Sequence, residues 1–360
     1  MIPPKGAIDC DIHPSIPNLK ALLPYLEDHW REMVLLRGMD ELNSISFPVA
    51  APDAARPDWR PATGKPAATL DQIRTQALDP FDTAIAICTC LYGVQLLHSE
   101  DLAAAFARAV NDWLAATLLA QDSRLRGTIV IPTQNPDMAV DEIERCAANP
   151  AFVQVLMLAG ADTPLGKRHL WPIYRACERH HLVLGIHAGN TYHNPPTAVG
   201  WPSLYIEDNV AQAQSFQTQL TSLICEGVFS RHPALKVVML ESGFTWVPAH
   251  LWRLTKYWRG LRMEIPWVDR TPDEILRDNI RFSLQPIDAP PSSADLQRVF
   301  DHLQSDRLIL FSTDYPHARF DGTDALPEGL TPTQIHRIAT LNPRETYTRL
   351  MDARLAETVS

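Results

Sequence analysis

Four apolar runs in the 360-residue chain end on a side chain able to hold a cation or move a proton. The first is Ile8-Asp9-Cys10-Asp11-Ile12-His13-Pro14. Side chains two apart in an extended strand face the same way, so Asp11 and His13 project together. A carboxylate oxygen beside an imidazole nitrogen is half of a divalent-metal site. The second, Leu182 to Asn190, reaches His187 and then turns through small residues. The third, Leu235 to Gly243, ends in Glu241. The fourth, Leu308 to Phe311, runs through Ser312 and Thr313 into Asp314, with His317 three residues on. A charge so close behind an apolar run is costly to bury without a cation or hydrogen bonds.

Taken singly these signals are weak. Asp-x-His can be a capped turn, a lone buried His is usually a satisfied core residue, and a strand-end Asp is often a cap. Their recurrence at four separate strand ends predicts one divalent ion held by Asp11, His13, His187 and Asp314. Glu241, Asp314 and His317 are the candidate catalytic groups. Asp314 could be a ligand or a general base, and His317 could bond substrate or support a ligand.

Positioning such groups requires strands that end at one place. Short apolar segments recur at Ala7–Ile12, Thr83–Cys88, Thr128–Pro132, Phe152–Leu158, Val183–His187, Val237–Leu240, Ile280–Leu284 and Leu308–Phe311. Most are continuously apolar, as parallel strands covered on both faces are. Helical periodicity fills the intervals at Asp101–Ala120, Pro136–Ala148, Trp171–His181, Asp208–Phe229, Thr245–Arg262, Ser292–Leu303 and Thr331–Leu341. Strand–helix alternation of this kind predicts an α/β fold, a (β/α)8 TIM barrel whose active site lies at the C-terminal ends of the strands. An open doubly wound sheet competes, but no G-x-G-x-x-G follows an early strand. The expectation is a single domain with long Pro-rich insertions near 46–70 and 191–205, acting as lids, substrate walls or subunit contacts.

Composition narrows the function classes. The formal net charge is −10 and no basic run occurs, which argues against nucleic acid or an anionic membrane surface. No apolar run approaches the roughly 18 residues of a membrane span. Six cysteines without a C-x-x-C pair suit a reducing cytoplasm. The expected partner is a small molecule. Apolar helix faces and Pro-rich loops suggest a homodimer or higher homo-oligomer.

With these segments in view, the chain resembles the amidohydrolase-related family of the amidohydrolase superfamily, which includes aminocarboxymuconate-semialdehyde decarboxylase and related aromatic-acid decarboxylases. The resemblance runs from Ile8 to about Tyr347 and is carried by Ile8–Pro14, Asn111-Asp112-Trp113, Leu184–Gly189, Gly227–Trp246, Ser312–His317 and Asn342-Pro343. It implies a (β/α)8 barrel with one catalytic divalent ion, zinc as the first expectation and manganese as the alternative. Its first-strand ligand pair falls on Asp11 and His13, its strand-five ligand on His187 and its strand-eight aspartate on Asp314. Two positions depart from the pattern. The first-strand pair is Asp-x-His, where the family often has His-x-His, Glu-x-His or Glu-x-Ala. Strand six ends in Glu241, where the decarboxylases carry a catalytic His.

Two reactions follow. In hydrolysis, the favoured expectation, the ion activates water and Asp314 or Glu241 takes a proton. In decarboxylation, the ion binds the substrate carboxylate while an acid protonates the carbon that loses carbon dioxide. A non-catalytic metal-bearing binding protein is a third, remote reading. Arg253 and Arg319 are candidate partners for a substrate carboxylate, and Trp246 and Tyr315 candidate walls for a ring. The plain alternatives are a surface arginine and simple packing.

Overall fold

The computed structural model describes residues 1–42, 55–189, 194–317 and 324–351. Within them lies one eight-stranded parallel sheet in sequence order. Its strands are β1 (Ile8–Ile12), β2 (Ile85–Cys88), β3 (Leu125–Ile129), β4 (Phe152–Leu158), β5 (Val183–His187), β6 (Val237–Leu240), β7 (Ile280–Ser283) and β8 (Ile309–Leu310). Cys10 N donates to Phe311 O at 2.9 Å, Asp314 N to Asp11 O at 3.1 Å and His13 N to Tyr315 O at 2.7 Å. These bonds bring the chain beyond β8 back onto β1, and the sheet becomes a barrel. The fold is the TIM barrel that the strand–helix alternation predicts.

Helices cover the outside: α1 (Asp28–Arg37), α2 (Leu70–Ile73), α3 (Glu100–Leu114), α4 (Pro136–Ala147), α5 (Trp171–Arg179), α6 (Tyr205–Cys225), α7 (Val228–Arg231), α8 (Val247–Leu261), α9 (Pro272–Asn279), α10 (Ser293–Leu303), α11 (Pro332–His336) and α12 (Asn342–Thr346). Local chemistry sets their starts. Asn135 accepts from the backbone of Asp137 and Met138 ahead of Pro136, and Thr271 forms a reciprocal capping box with Glu274. The strands β3, β4 and β5 are buried throughout. Each fully buried aliphatic side chain contributes roughly 1.5–3 kcal/mol, so the frame is fixed by its core and can carry charges at its rim.

Three expectations shift. The third strand lies three residues earlier than Thr128–Pro132, because Arg126 is buried in it, its Nη1 donating to the carbonyls of Ser123 and Leu125. The helix expected over Asp208–Phe229 breaks at Gly227, whose φ of 82° is left-handed. The stretch Glu100–Leu119 forms one 20-residue helical run, long and apolar enough to cross a membrane by length and composition. Its Phe106, Val110 and Leu114 are fully buried in the core, as an amphipathic barrel helix requires.

Candidate active site

The barrel brings six of the sequence-predicted residues together: Asp11, His13, His187, Glu241, Asp314 and His317. The register aligns His187 with Leu158 on one side and Leu240 on the other, so Glu241 is the first residue past the end of β6. His187 Nε2 lies 3.1 Å from Glu241 Oε1 and 3.6 Å from Asp11 Oδ2. His13 Nε2 lies 3.6 Å from Asp11 Oδ2, 3.5 Å from Glu241 Oε1 and 2.9 Å from Asp314 Oδ1. His317 Nδ1 bonds Asp314 Oδ1 at 2.6 Å, and its ring stacks on that of His13 at 4.7 Å.

Two overlapping sets of close donor atoms result. Asp11, His13, His187 and Glu241 form one, and His13, Glu241, Asp314 and His317 the other, with the atoms of each set within 4.8 Å of one another. The histidine tautomers follow from their second nitrogens. His13 Nδ1 meets Thr89 O at 3.1 Å and His187 Nδ1 meets Ala188 O at 2.6 Å. A carbonyl only accepts, so both Nδ1 atoms carry the hydrogen and both Nε2 lone pairs face the cluster.

The backbone turns two of the carboxylates into place. Glu241 has φ 56° and Asp314 φ 58°, a left-handed conformation that costs an ordinary residue on the order of 1–3 kcal/mol. Ser283 Oγ accepts from Glu241 N at 2.9 Å, and Asp11 O accepts from Asp314 N. Asp9, 1% exposed, adds a clamp: it accepts from Thr313 Oγ1 at 2.5 Å, Thr313 N at 3.0 Å and Asp11 N at 3.2 Å. Burial pushes the Asp9 carboxyl up to about 7 against these hydrogen bonds.

Electrostatics show what the cluster lacks. Burial would lower the pKa values of His13 and His187, but Asp11, Glu241 and Asp314 outweigh it at His13, and Glu241 and Asp11 outweigh it at His187. Both imidazoles therefore stand above the ordinary value. His317 rises to about 9 in the same way, its burial outweighed by Asp314 and Glu241. Glu241 is held well below the usual range by His187, His13 and His317 despite its burial, whereas burial raises Asp11. The cluster draws positive charge. Both Asp11 carboxylate oxygens and the Nε2 atoms of His13 and His187 are buried without a well-formed hydrogen bond, an arrangement that a divalent cation satisfies.

The predicted substrate contacts fare differently. Arg253 is exposed on α8, its guanidinium 5.3 Å over Tyr257 one turn further on. It lines an outer cavity with Thr221, Cys225 and His250, so helical phase turns it away from the cluster. Tyr315 is fully buried, its hydroxyl donating to Gln76 Oε1 at 2.7 Å and its ring edge-on to Trp59. Trp246 donates to Ser242 O at 2.9 Å and packs against Phe282. Tyr315 is thus a framework residue, whereas Trp246 is half-buried. Arg319 lies outside the described residues. So does the first part of the 46–70 insertion, but Ala55 bridges to His317 and Arg56 N donates to Pro316 O at 2.9 Å, so its later part borders the cluster.

Sequence reasoning missed Asp9, Thr89, Ser283 and Thr313. Asp9 alone had a signal, since it shares strand phase with Asp11 and His13.

Fold and cluster together point to a barrel enzyme of the metal-dependent kind, with the candidate ligand groups at the C-terminal strand ends. The sequence profile of the amidohydrolase family matches residues 8–349, and the chain belongs to that family. It is accordingly a metal-dependent hydrolase or carboxy-lyase. It is 26% identical to the gamma-resorcylate decarboxylase of Rhodococcus jostii (strain RHA1) over 238 residues, which cover 62% of this chain and 70% of the relative. An amidohydrolase from Mycobacterium avium subsp. paratuberculosis K-10 superposes with TM-score 0.73 at 20% identity, covering 95% of this chain and 99% of that one. Dihydroxybenzoic acid decarboxylase from Polaromonas sp. JS666, with bound manganese and the inhibitor 2-nitroresorcinol, superposes with TM-score 0.69 at 18% identity, covering 98% and 100%.

Proposed function

We propose that this enzyme is a non-oxidative, manganese-dependent decarboxylase of a small hydroxylated aromatic acid. The observation that carries the choice of reaction is the sequence relationship, over 62% of the chain, to a gamma-resorcylate decarboxylase. It favours carbon dioxide release over the hydrolysis expected first. Manganese is favoured over zinc on two grounds. The manganese-bearing decarboxylase shares the fold, and the carboxylates of Asp11, Glu241 and Asp314 supply the hard oxygen donors that suit manganese.

Asp11, His13 and His187 are the core ligands, with Asp314 and Glu241 as the carboxylates in reach. When bound, the ion supplies positive charge that draws a substrate carboxylate to the barrel mouth. The chain's own part is to deliver a proton. His317 is the most exposed member of the cluster, its side chain 18% accessible. Its Nδ1 is committed to Asp314, which leaves Nε2 as the atom that exchanges a proton with substrate. That proton adds to the ring carbon bearing the carboxylate. The carbon–carbon bond then breaks, carbon dioxide departs, the electron pair restores the aromatic ring, and His317 is reprotonated from solvent.

The test is to load the protein with manganese, supply gamma-resorcylate and other hydroxybenzoates, and measure carbon dioxide alongside amide and lactone hydrolysis. Carbon dioxide release that is abolished in His317→Asn supports the reading. Turnover confined to the amides or lactones would return the assignment to hydrolysis. A cytoplasmic site and assembly of identical copies belong to the same proposal. The six cysteines are free, and Val199, Leu204, Ile206 and Val210 expose apolar surface in one segment. Light scattering of the purified protein reads the subunit number.

A further inference from the structure

The geometry points to Glu241 as a ligand of the metal rather than the proton donor of the reaction, an inference that rests on the metal-centre reading above. Ligand atoms about 2.1 Å from one ion stand roughly 3.0–3.5 Å apart when they occupy adjacent corners of an octahedron or tetrahedron. The separations around the first set of donors are close to this. Glu241 Oε1 is 3.1 Å from His187 Nε2 and 3.5 Å from His13 Nε2, while Asp11 Oδ2 is 3.6 Å from each of those nitrogens. These four atoms already outline the shell of a single ion. Asp314, expected as the fourth ligand, comes within 2.9 Å of His13 Nε2, but the same Oδ1 is already bonded to His317 at 2.6 Å, so it groups with His13, Glu241 and His317.

Charge points the same way. Two carboxylates and two neutral imidazoles balance a divalent ion, so the buried site carries no net charge. The position is also built. Glu241 is 8% exposed, its backbone N–H is held by Ser283 Oγ, and its left-handed conformation is the one that ends β6. A carboxylate oxygen committed to a cation has no proton to give. The acid–base role therefore falls to His317, supported by Asp314.

The test strips the full-length protein with a chelator and titrates it with manganese chloride, reading free ion by electron paramagnetic resonance. Wild type, Glu241→Gln and Glu241→Gly are compared, with circular dichroism and Tm to confirm folding. Glycine accepts a φ of 56° without strain, so that variant removes the carboxylate without burdening the backbone. Wild type should bind one manganese per chain, and both variants should bind at least a hundredfold more weakly while folded. Glu241→Gln that binds manganese within threefold of wild type, but has lost turnover, would overturn the assignment and make Glu241 the acid–base group. A wild type that takes up no manganese would overturn the metal reading and this inference together. Weakened binding in the variants, in a protein that releases no carbon dioxide from hydroxybenzoates, would support the ligand role and retire decarboxylation alone.

Discussion

Asp9 and Thr313 lie outside the candidate ligand cluster, yet they brace the chain immediately before Asp314. Asp9 takes both the N–H and the Oγ–H of Thr313, the residue that precedes Asp314. Thr313→Val keeps the shape but leaves a buried Asp9 oxygen short of a donor, at a cost of about 1–3 kcal/mol. The expected result is a lowered Tm together with manganese binding about tenfold weaker, as for loss of a residue that orients a metal site. Unaltered manganese affinity would show that Asp11, whose N–H Asp9 also accepts, is held independently of the clamp. The ligands themselves obey a stricter rule. Elemental analysis should find about one metal per chain in wild type and almost none in Asp11→Ala or His187→Ala. Metal retained in either variant would remove that residue from the shell. At this scale the sequence reveals the charged groups, because a charge ending an apolar run is anomalous. It conceals the hydroxyls and carbonyls that aim them, because Thr89, Ser283 and Thr313 are unremarkable in one dimension.

Elements were legible in proportion to how simply their burial repeats. The boundaries of β4, β5 and β6 follow from continuous apolar runs, since all their side chains are covered. The start of β3 did not, because Arg126 reads as a loop residue until its carbonyl partners are seen. Helix α1 escaped notice because Val34 is its one buried side chain, and α9 because its eight residues, though half of them are buried, are too few to show a helical repeat. One junction lends itself to a pH test. Asp122, just ahead of β3, accepts from Arg74 Nε at 2.8 Å, Arg124 Nε at 3.0 Å and Arg124 N at 3.0 Å. Burial would raise its pKa, but the two arginines hold it well below the usual carboxylate range. A depressed folded value means that the stabilisation is full above the ordinary value near 4 and is lost as pH falls towards the folded one. Asp122→Asn should therefore cost about 1–2 kcal/mol at pH 7, discounting for the partly exposed arginines. The gap from wild type should close as denaturation is repeated below pH 4. A gap that stays constant down to pH 2 would mean that charge on Asp122 is not what stabilises the junction.

On the scale of the whole molecule, chemistry and closure sit at opposite ends of the barrel. The ligand cluster occupies the C-terminal strand ends, while the chain's last described turn, Thr348–Met351, seals the other end. There Arg349 donates to Phe152 O at 2.7 Å, His180 O at 3.0 Å, Ala147 O at 3.0 Å and Asn149 O at 3.1 Å. One guanidinium thus ties the C-terminus to the end of α4, the start of β4 and the end of α5. Two residues earlier, the fully buried Tyr347 bonds Gln154 Oε1 at 2.7 Å and packs with Ile8, Val153 and Leu310. Removing the arginine strands several carbonyls, so Arg349→Ala should cost about 2–3 kcal/mol and lower Tm by about 3–4 °C. Manganese stoichiometry and affinity should not change, because none of the four carbonyls that Arg349 holds belongs to a ligand or clamp residue. This separation is what allows a TIM barrel to alter its chemistry at one rim while its stability is kept at the other. Manganese affinity that fell in step with Tm in Arg349→Ala would show the two ends to be coupled, and the metal site to depend on the closure of the whole barrel.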